Sequence, residues 1–362
     1  MLKKRIIKSE SRDYTVDIIS DWDFMDKLTD LEEPVYVVDF NVYRIYRDKL
    51  FRDLPEERIV LFEANERNKT LQGLGVILKN VLRLSVRNKR NTNFVSFGGG
   101  ITQEVTGFIA STLYRGIEHW VNVPTTLLAQ SDTCIGGKTS LNVPPYKNIL
   151  GTFFPPHETY LNPRFVATNS DYHFQSGLGE IIKAALLVAE GDESLDKLKE
   201  RLRGLKKEDH ERLAELIDDA LETKIDYITG DETDKGRRNF LNYGHTFGHA
   251  IETVSEYTIP HGTNVLIGII YANILSRRRG LISKTTAEGI DGIVLDHIPV
   301  DFQEAYFDRD RLLDCVRMDK KIIGDGLMFI LQKEDYHLER VQGISIEEFD
   351  YALGELKERL LR

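Results

Sequence analysis

Short apolar runs and longer helical stripes alternate through the first half of the chain, and this rhythm predicts a parallel α/β sheet. Tyr14 to Ile19 alternates enough for a strand. Val35 to Phe40 is a nearly continuous apolar run, as in a parallel strand buried on both faces. Ile59 to Phe62, Phe94 to Phe97 and Trp120 to Val123 read as further strands. Leu71, Leu74, Leu78, Val81 and Leu82 fall on one helical stripe, and helical sequence resumes by Thr106. From about Asp171 the texture changes. A helix starts near Gly177, a charged amphipathic region runs from Glu193 to Ile228, and Val265 to Leu275 reads as a buried helix. Leu327 to Leu331 reads as a short strand. The chain closes on a helix whose Ser345 and Glu348 have the spacing of a capping box. The second half is therefore mostly helical.

A length of 362 residues is too much for one ordinary core and predicts two domains. A hydrophobic content of 41% and a charged content of 29% fit a soluble globular protein, and no apolar run approaches a membrane span. The N-terminal stretch is basic but lacks the apolar core of a signal peptide. Two cysteines, Cys134 and Cys315, fit a reducing cytoplasm better than a disulfide framework. A net charge of −10 argues against general nucleic-acid binding, while leaving room for a local basic pocket that takes a small anion.

The candidate chemistry gathers between Arg238 and His261, which holds three of the nine histidines. His245 and His249 are four apart, on one face if Thr246 to Val254 is helical. His261 lies between Pro260 and Gly262, on a loop or a helix start. Such a segment can supply imidazoles to a metal and one to proton transfer, although a chance pair on a helix looks the same. Glu180 has apolar neighbours, and a buried carboxylate needs a partner, of which a metal is one. Asp39 follows a strand's C-terminal end, where doubly wound folds hold a ribose hydroxyl; a turn-forming Asp would also fit. Gly98, Gly99 and Gly100 join a strand to a helix, the layout of a phosphate cradle, but the Gly-x-Gly-x-x-Gly fingerprint is absent and a tight packing turn fits too. Ser131 to Asn148, with the lysines Lys138 and Lys147 and the amides Asn142 and Asn148 among glycines and prolines, looks like an anion-binding loop, although a solvated turn would hold the lysines equally well.

Taken in order, these motifs are Gly-Gly-Gly, Pro-Thr-Thr-Leu-Leu-Ala-Gln, Gly-Gly-Lys-Thr, Lys-Asn, Gly-x-x-Glu-x-x-Lys, Arg-x-x-x-Asn-x-Gly-His-Thr-x-Gly-His, His-Gly and Asp-Lys-Lys. The series resembles the 3-dehydroquinate synthase and wider sugar phosphate cyclase family from Asp39 to about Leu331. The resemblance implies an α/β N-terminal Rossmann-like domain over residues 1–168 that binds NAD, and a mostly α-helical C-terminal domain over residues 169–362. It implies a divalent metal, zinc or cobalt, on Glu180, His245 and His261, with His249 as acid/base. It implies NAD contacts from Asp39, Asn41, Glu66, Lys69, Gly98 to Gly100, Thr125, Thr126, Leu128, Lys138, Lys147 and Thr168. Substrate-side roles fall to Asp132, Lys138, Asn148, Lys183, Lys224, Arg238 and Asn242, with Arg115, Lys147, Lys320 and Lys321 adding positive charge for a phosphate. The implied reaction turns 3-deoxy-D-arabino-heptulosonate 7-phosphate into 3-dehydroquinate and phosphate, with NAD reduced and reoxidised in each turnover. The implied assembly is a homodimer, with no nucleic-acid or membrane partner.

Lys138, Lys224 and Arg238 suit a substrate carboxylate, which favours this cyclase over relatives acting on sugars without one. Two departures from the pattern bear on the substrate. Gln103-Glu104 stands where Gly-Asp is usual, and Thr263 stands where the usual His-Gly-Glu has its carboxylate. They leave open a cyclase acting on another sugar phosphate, such as sedoheptulose 7-phosphate. An NAD-dependent metal alcohol dehydrogenase shares the architecture, but a simple alcohol needs no phosphate grip. A non-catalytic binding protein would have no physical reason to keep a costly buried charge cluster.

Overall fold

The computed structural model describes residues 2–84, 92–144, 146–299, 301–318 and 326–361. It forms two compact units. The first holds Met1–Asn169, Lys207–Leu221 and Ile228–Thr233; the second holds Ser170–Lys206, Glu222–Tyr227 and Asp234–Arg362.

In chain order the first unit starts with β1 (Lys3–Ile7), β2 (Tyr14–Ile18), α1 (Phe24–Thr29), β3 (Pro34–Asp39), α2 (Phe40–Leu50), β4 (Ile59–Phe62) and α3 (Leu71–Leu84). It continues with β5 (Asn93–Gly98), α4 (Gly100–Thr112), β6 (His119–Pro124), β7 (Lys138–Val143), β8 (Tyr146–Phe153) and β9 (Glu158–Leu161). Among the described residues, seven strands make one sheet in the order β1-β2-β9-β6-β5-β3-β4. β1 is antiparallel to β2, and the other pairings are parallel. The expected α/β architecture is borne out, and β3 shows why its sequence is apolar throughout. Tyr36 and Val38 pack into one core cluster with Phe97 and Val123, whereas Val35 and Val37 pack into another with Phe94 and Trp120. Each face of the sheet has its own core, so neither phase of the strand can be polar.

Three local expectations differ from the structure. In α3 the buried stripe is Leu74, Ile77 and Val81, while Leu71 and Leu82 are exposed, because the i, i+3, i+7 row faces the sheet. Helix α4 starts at Gly100 instead of near Thr106, and its first turns bury Thr102 and Gln103, whose polarity hid the helical period. The expected loop from Ser131 to Asn148 is a turn of π-helix, Ala129–Thr133, followed by the antiparallel ribbon β7–β8. Asn148 sits at φ 51 inside β8, a left-handed conformation that asparagine tolerates, and the register shifts between Leu141 and Val143. A kinked ribbon of mixed polarity carries no clean two-residue alternation.

The second unit contains α5 (Asp171–Leu187), α6 (Asp192–Leu202), part of α7 (His210–Ile228), α8 (His245–Val254), α9 (His261–Arg278), α10 (Lys284–Leu295), α11 (Arg309–Met318), the hairpin β10 (Leu327–Gln332) and β11 (Leu338–Ile344), and α12 (Ile346–Leu360). Ser345 and Glu348 form the expected reciprocal capping box on α12. α9 is the central element, buried from Gly262 to Ser276. Glycines let its neighbours approach to backbone contact. A Cβ on Gly179 of α5 would collide with the Gly262 carbonyl, and one on Gly268 would collide with the Gly244 carbonyl. On α8, a Cβ on Gly248 would lie 2.8 Å from the Asn264 oxygen.

Gly179→Ala is therefore expected to lower stability by about 3 kcal/mol, as overpacking against backbone does. Gly354→Ala in α12, where nothing lies within 4 Å of the added methyl, should instead gain up to about 1 kcal/mol from helix propensity. Equal effects of the two changes in urea unfolding would mean that the α5–α9 crossing is not close-packed.

Candidate active site

α8 and α9 each begin on a histidine. Pro260 precedes α9, which leaves His261 as its first residue, and the left-handed Gly244 precedes His245. The next turn of α8 carries His249. One nitrogen from each of His245, His249 and His261 lies within 4.8 Å of the others. His245 and His261 are half-buried, whereas His249 is exposed. Glu180 comes from the middle of α5 and is 2% exposed. Its Oε1 lies 3.4 Å from His245 Nε2 and 3.3 Å from His261 Nε2.

Those separations suit a metal. Ligands about 2.0–2.1 Å from a tetrahedral ion stand about 3.3–3.4 Å from one another. Lys183 Nζ is 2.5 Å from Glu180 Oε2 and also donates to the Leu241 carbonyl at 2.9 Å. Burial alone would raise the Glu180 pKa, but Lys183 and the two imidazoles hold it well below the carboxylate range. Burial, and then Lys183, lowers the His245 pKa, which keeps that ring neutral. For His261 burial opposes the charge, but Glu180 and Glu252 outweigh it and push the pKa up to about 10. The non-ligating nitrogens have partners as well. His245 Nδ1 is 3.2 Å from the Tyr243 carbonyl, and His261 Nδ1 is 3.5 Å from Glu252 Oε2. Tyr243 is anchored in turn, donating from its hydroxyl to Asn273 at 2.7 Å, and Asn273 donates to Asp291 at 2.8 Å.

Arg238 and Asn242 lie on the turn Arg237–Asn242 that leads into α8. Arg238 and Lys224 are buried cations, at 3% and 8% exposure. Lys320 and Lys321 lie outside the described residues.

The first unit builds a second polar assembly. Asp39 caps α2, accepting from Asn41 N at 2.8 Å and Val42 N at 3.2 Å, and its other oxygen accepts from Ala64 N at 3.2 Å. Lys69 is buried, donates to Asn148 Oδ1 at 2.7 Å and forms an ion pair with Glu104. Ser140 also donates to Asn148, and Glu66 accepts from Asn142 at 2.7 Å. Gly98 and Gly99 close a cradle, since a Cβ on either would press on Thr102 or Thr126. Gly99 caps α4 without a side chain, so the first-turn amides face that space. Asn169 ties down the Thr125–Leu128 turn through the Leu127 amide and the Thr125 carbonyl. Thr168 pairs with the Tyr46 hydroxyl at 3.0 Å. Asp132 falls on the π-helical turn, Lys138 opens β7 and Lys147 lies on β8. Arg115 is exposed on the turn after α4, left-handed like Tyr114 before it. The sequence reading missed Tyr243, Asn169 and Glu252. Only Glu252 left a signal: it lies seven residues after His245, on the same helical face.

Two family models match the chain. Residues 59–176 match the model of the 3-dehydroquinate synthase N-terminal domain, and residues 177–322 match that of its C-terminal domain. The chain belongs to the 3-dehydroquinate synthase family. It is 32% identical over 305 residues to a 3-dehydroquinate synthase of Dehalococcoides mccartyi, covering 83% of either chain. Its fold is similar to that of 2-deoxy-scyllo-inosose synthase, solved with carbaglucose-6-phosphate, NAD+ and Co2+, at a TM-score of 0.82 and 22% identity over 98% of this chain and 100% of that one. It is also similar to that of 2-epi-5-epi-valiolone synthase from Streptomyces hygroscopicus, solved with NAD+ and Zn2+, at 0.80 and 22% over 98% and 99%. Within the 3-dehydroquinate synthase family, Gln103-Glu104 departs from the usual Gly-Asp. Gln103 is absorbed by a buried network, accepting from Asn122 at 3.0 Å and Thr133 at 3.3 Å, while Glu104 meets Lys69.

Burial pushes the Glu104 pKa up, against the pull of Lys69. Lys69→Met is expected to leave that carboxylate stranded and cost about 2–3 kcal/mol at pH 8. A raised pKa means the group takes up its proton as pH falls, so the loss should shrink by pH 5. Urea unfolding at both pH values checks this; an equal loss at each would mean that Glu104 is not the stranded group.

Proposed function

We propose that this chain is a 3-dehydroquinate synthase, a carbon–oxygen lyase that releases phosphate from 3-deoxy-D-arabino-heptulosonate 7-phosphate and closes the carbocycle of 3-dehydroquinate. The observation that carries this reading is the buried Glu180 between His245 Nε2 and His261 Nε2, in a chain of this family. When bound, a divalent metal polarises the substrate alcohol and NAD takes up and returns its hydride. Glu180, His245 and His261 would hold the metal. Asp39, Asn41, Glu66, Lys69, the Gly98–Gly100 cradle, Thr125, Thr126, Leu128 and Thr168 would hold NAD, with Lys138 and Lys147 at its substrate side. The solved relatives that carry NAD+ with Co2+ or Zn2+ support both cofactors.

His249 is exposed beside the two ligand imidazoles, where it can accept and return the proton of a substrate hydroxyl. With NAD bound to take the hydride, oxidation of that hydroxyl would acidify the neighbouring C–H bond, and loss of its proton would expel phosphate. Arg238, with a guanidinium fork, and Lys224 and Lys138 suit the substrate carboxylate. Lys183 neutralises Glu180, while Asn148, Asn242 and Asp132 orient hydroxyls. Arg115, Lys147 and the pair Lys320/Lys321 supply charge for the phosphate. Neither departure from the family pattern empties a polar position: Glu104 still reaches a lysine, and Glu252 supplies His261 with a carboxylate that Thr263 does not.

The deciding assay follows phosphate release from 3-deoxy-D-arabino-heptulosonate 7-phosphate with NAD and zinc, before and after chelation. Metal-dependent release with 3-dehydroquinate formed and no net NADH is expected. Turnover of sedoheptulose 7-phosphate instead would move the substrate, and net NADH from a simple alcohol would overturn the cyclase. In the same assay His245→Ala should lose metal and activity, whereas His249→Ala should keep metal and lose at least about tenfold in rate. Equal metal loss would overturn that division.

We also assign a cytoplasmic homodimer. Cys134 and Cys315 are free thiols, and no described helix is long and apolar enough to cross a membrane. Val143, Tyr146, Ile149, Leu150 and Phe153 are exposed apolar side chains on the β7–β8 ribbon, of the kind a second copy covers. Light scattering should give a dimer that Ile149→Lys weakens and Val76→Lys on α3 does not. A monomeric wild type would end the dimer assignment, and activity recovered outside the cytoplasm would end the other.

A further inference from the structure

We infer that Glu252 is a positioning residue for the metal site, fixing His261 through the nitrogen that does not face Glu180. The inference rests on the metal reading above and adds a residue that the motif does not contain.

Three observations carry it. First, Glu252 Oε2 stands 3.5 Å from His261 Nδ1, while Nε2 of the same ring stands 3.3 Å from Glu180 Oε1. The ring is thus bracketed by two carboxylates on its two nitrogens. A proton on Nδ1 shared with Glu252 leaves the Nε2 lone pair directed at the Glu180 side. Such a carboxylate–histidine arrangement orients a ligand ring and makes its free nitrogen a better donor.

Second, the helix brings Glu252 there by its period. His245, His249 and Glu252 are i, i+4 and i+7 on α8, so the helix that donates His245 also carries the support for His261 on α9. Phe247, Ala250, Ile251 and Val254 bury the opposite face of α8 and fix its rotation. The Glu252 side chain is 17% exposed, sheltered enough for its charge to act with little screening.

Third, the neighbour that could have taken the role does not. Thr263, two residues after His261, is fully buried, and its hydroxyl has no hydrogen-bond partner. His245 is held differently, by the Tyr243 backbone carbonyl, so the two imidazoles have unequal supports. A backbone acceptor survives side-chain substitution, whereas a carboxylate does not. The support of His261 is the one that a single substitution removes.

The test is metal binding to the purified, metal-stripped protein, read by competition with a chromogenic chelator for zinc and by the visible bands of Co2+. Glu252→Ala is expected to weaken zinc binding about 10–100-fold and to alter the Co2+ bands. Glu252→Gln, which keeps an acceptor at the same reach, should recover most of the affinity. The thermal midpoints of the metal-free variants should match that of the wild type, a pattern that a general loss of structure would not give. Affinities of the alanine variant within twofold of wild type, with unchanged bands, would overturn the inference. So would a glutamine variant no better than alanine. If the wild type binds zinc no more tightly than His245→Ala, the metal reading itself fails, and that result is distinct from either of the others.

Discussion

The close crossing of α9 with α5 and α8 is the constraint on which the rest of the second unit depends. Helix axes normally stand 8–10 Å apart, set by the side chains between them. Here Gly262 meets Gly179, and Gly268 meets Gly244, backbone on backbone. The proposed metal donors sit directly beside these contacts: Glu180 follows Gly179, His261 precedes Gly262 and His245 follows Gly244. Main-chain packing thus holds the donor-bearing residues close together, with donor separations of 3.3 and 3.4 Å. Positions fixed in this way need little ordering when a ligand binds.

That packing also sustains an electrostatic arrangement that isolated helices could not hold. A buried glutamate beside a buried lysine costs desolvation that their attraction only partly offsets. Glu180 keeps its charge because Lys183 and two imidazoles surround it. Burial opposes a charge on His261, but Glu180 and Glu252 raise its pKa, so a metal at that nitrogen competes with a proton. The first unit uses a milder version of the same logic, with Lys69 between Glu104 and Asn148.

How much of this was legible in the chain differs from element to element. The strands were, because a parallel strand buried on both faces must be an apolar run, and β3 to β6 fall within two residues of the expected bounds. The buried helix around Val265 was legible for the same reason. The start of α4 and the β7–β8 ribbon were not. There, polar residues are buried by hydrogen bonds to partners distant in sequence, and Asn148 breaks the alternation that would mark a strand. The histidine cluster was visible as spacing, and family resemblance singled out Glu180 as its fourth member. Glu252 shares the helical face of His245, but its partner His261 lies beyond a turn on another helix, so spacing alone did not join the two.

The double-sided core of the sheet has a further consequence at Asp39. In a strand with one wet face, a slip of one residue exposes apolar groups and is rejected at once. β3 has no wet face, so a slipped Val35–Val38 would still be apolar on both sides. Hydropathy therefore cannot choose the alignment. Asp39 can, because its two oxygens collect the amides of Asn41, Val42 and Ala64, which join the end of β3 to α2 and to the segment leaving β4. The residue proposed to grip a ribose thus also acts as the index mark that tells the strand where to stop.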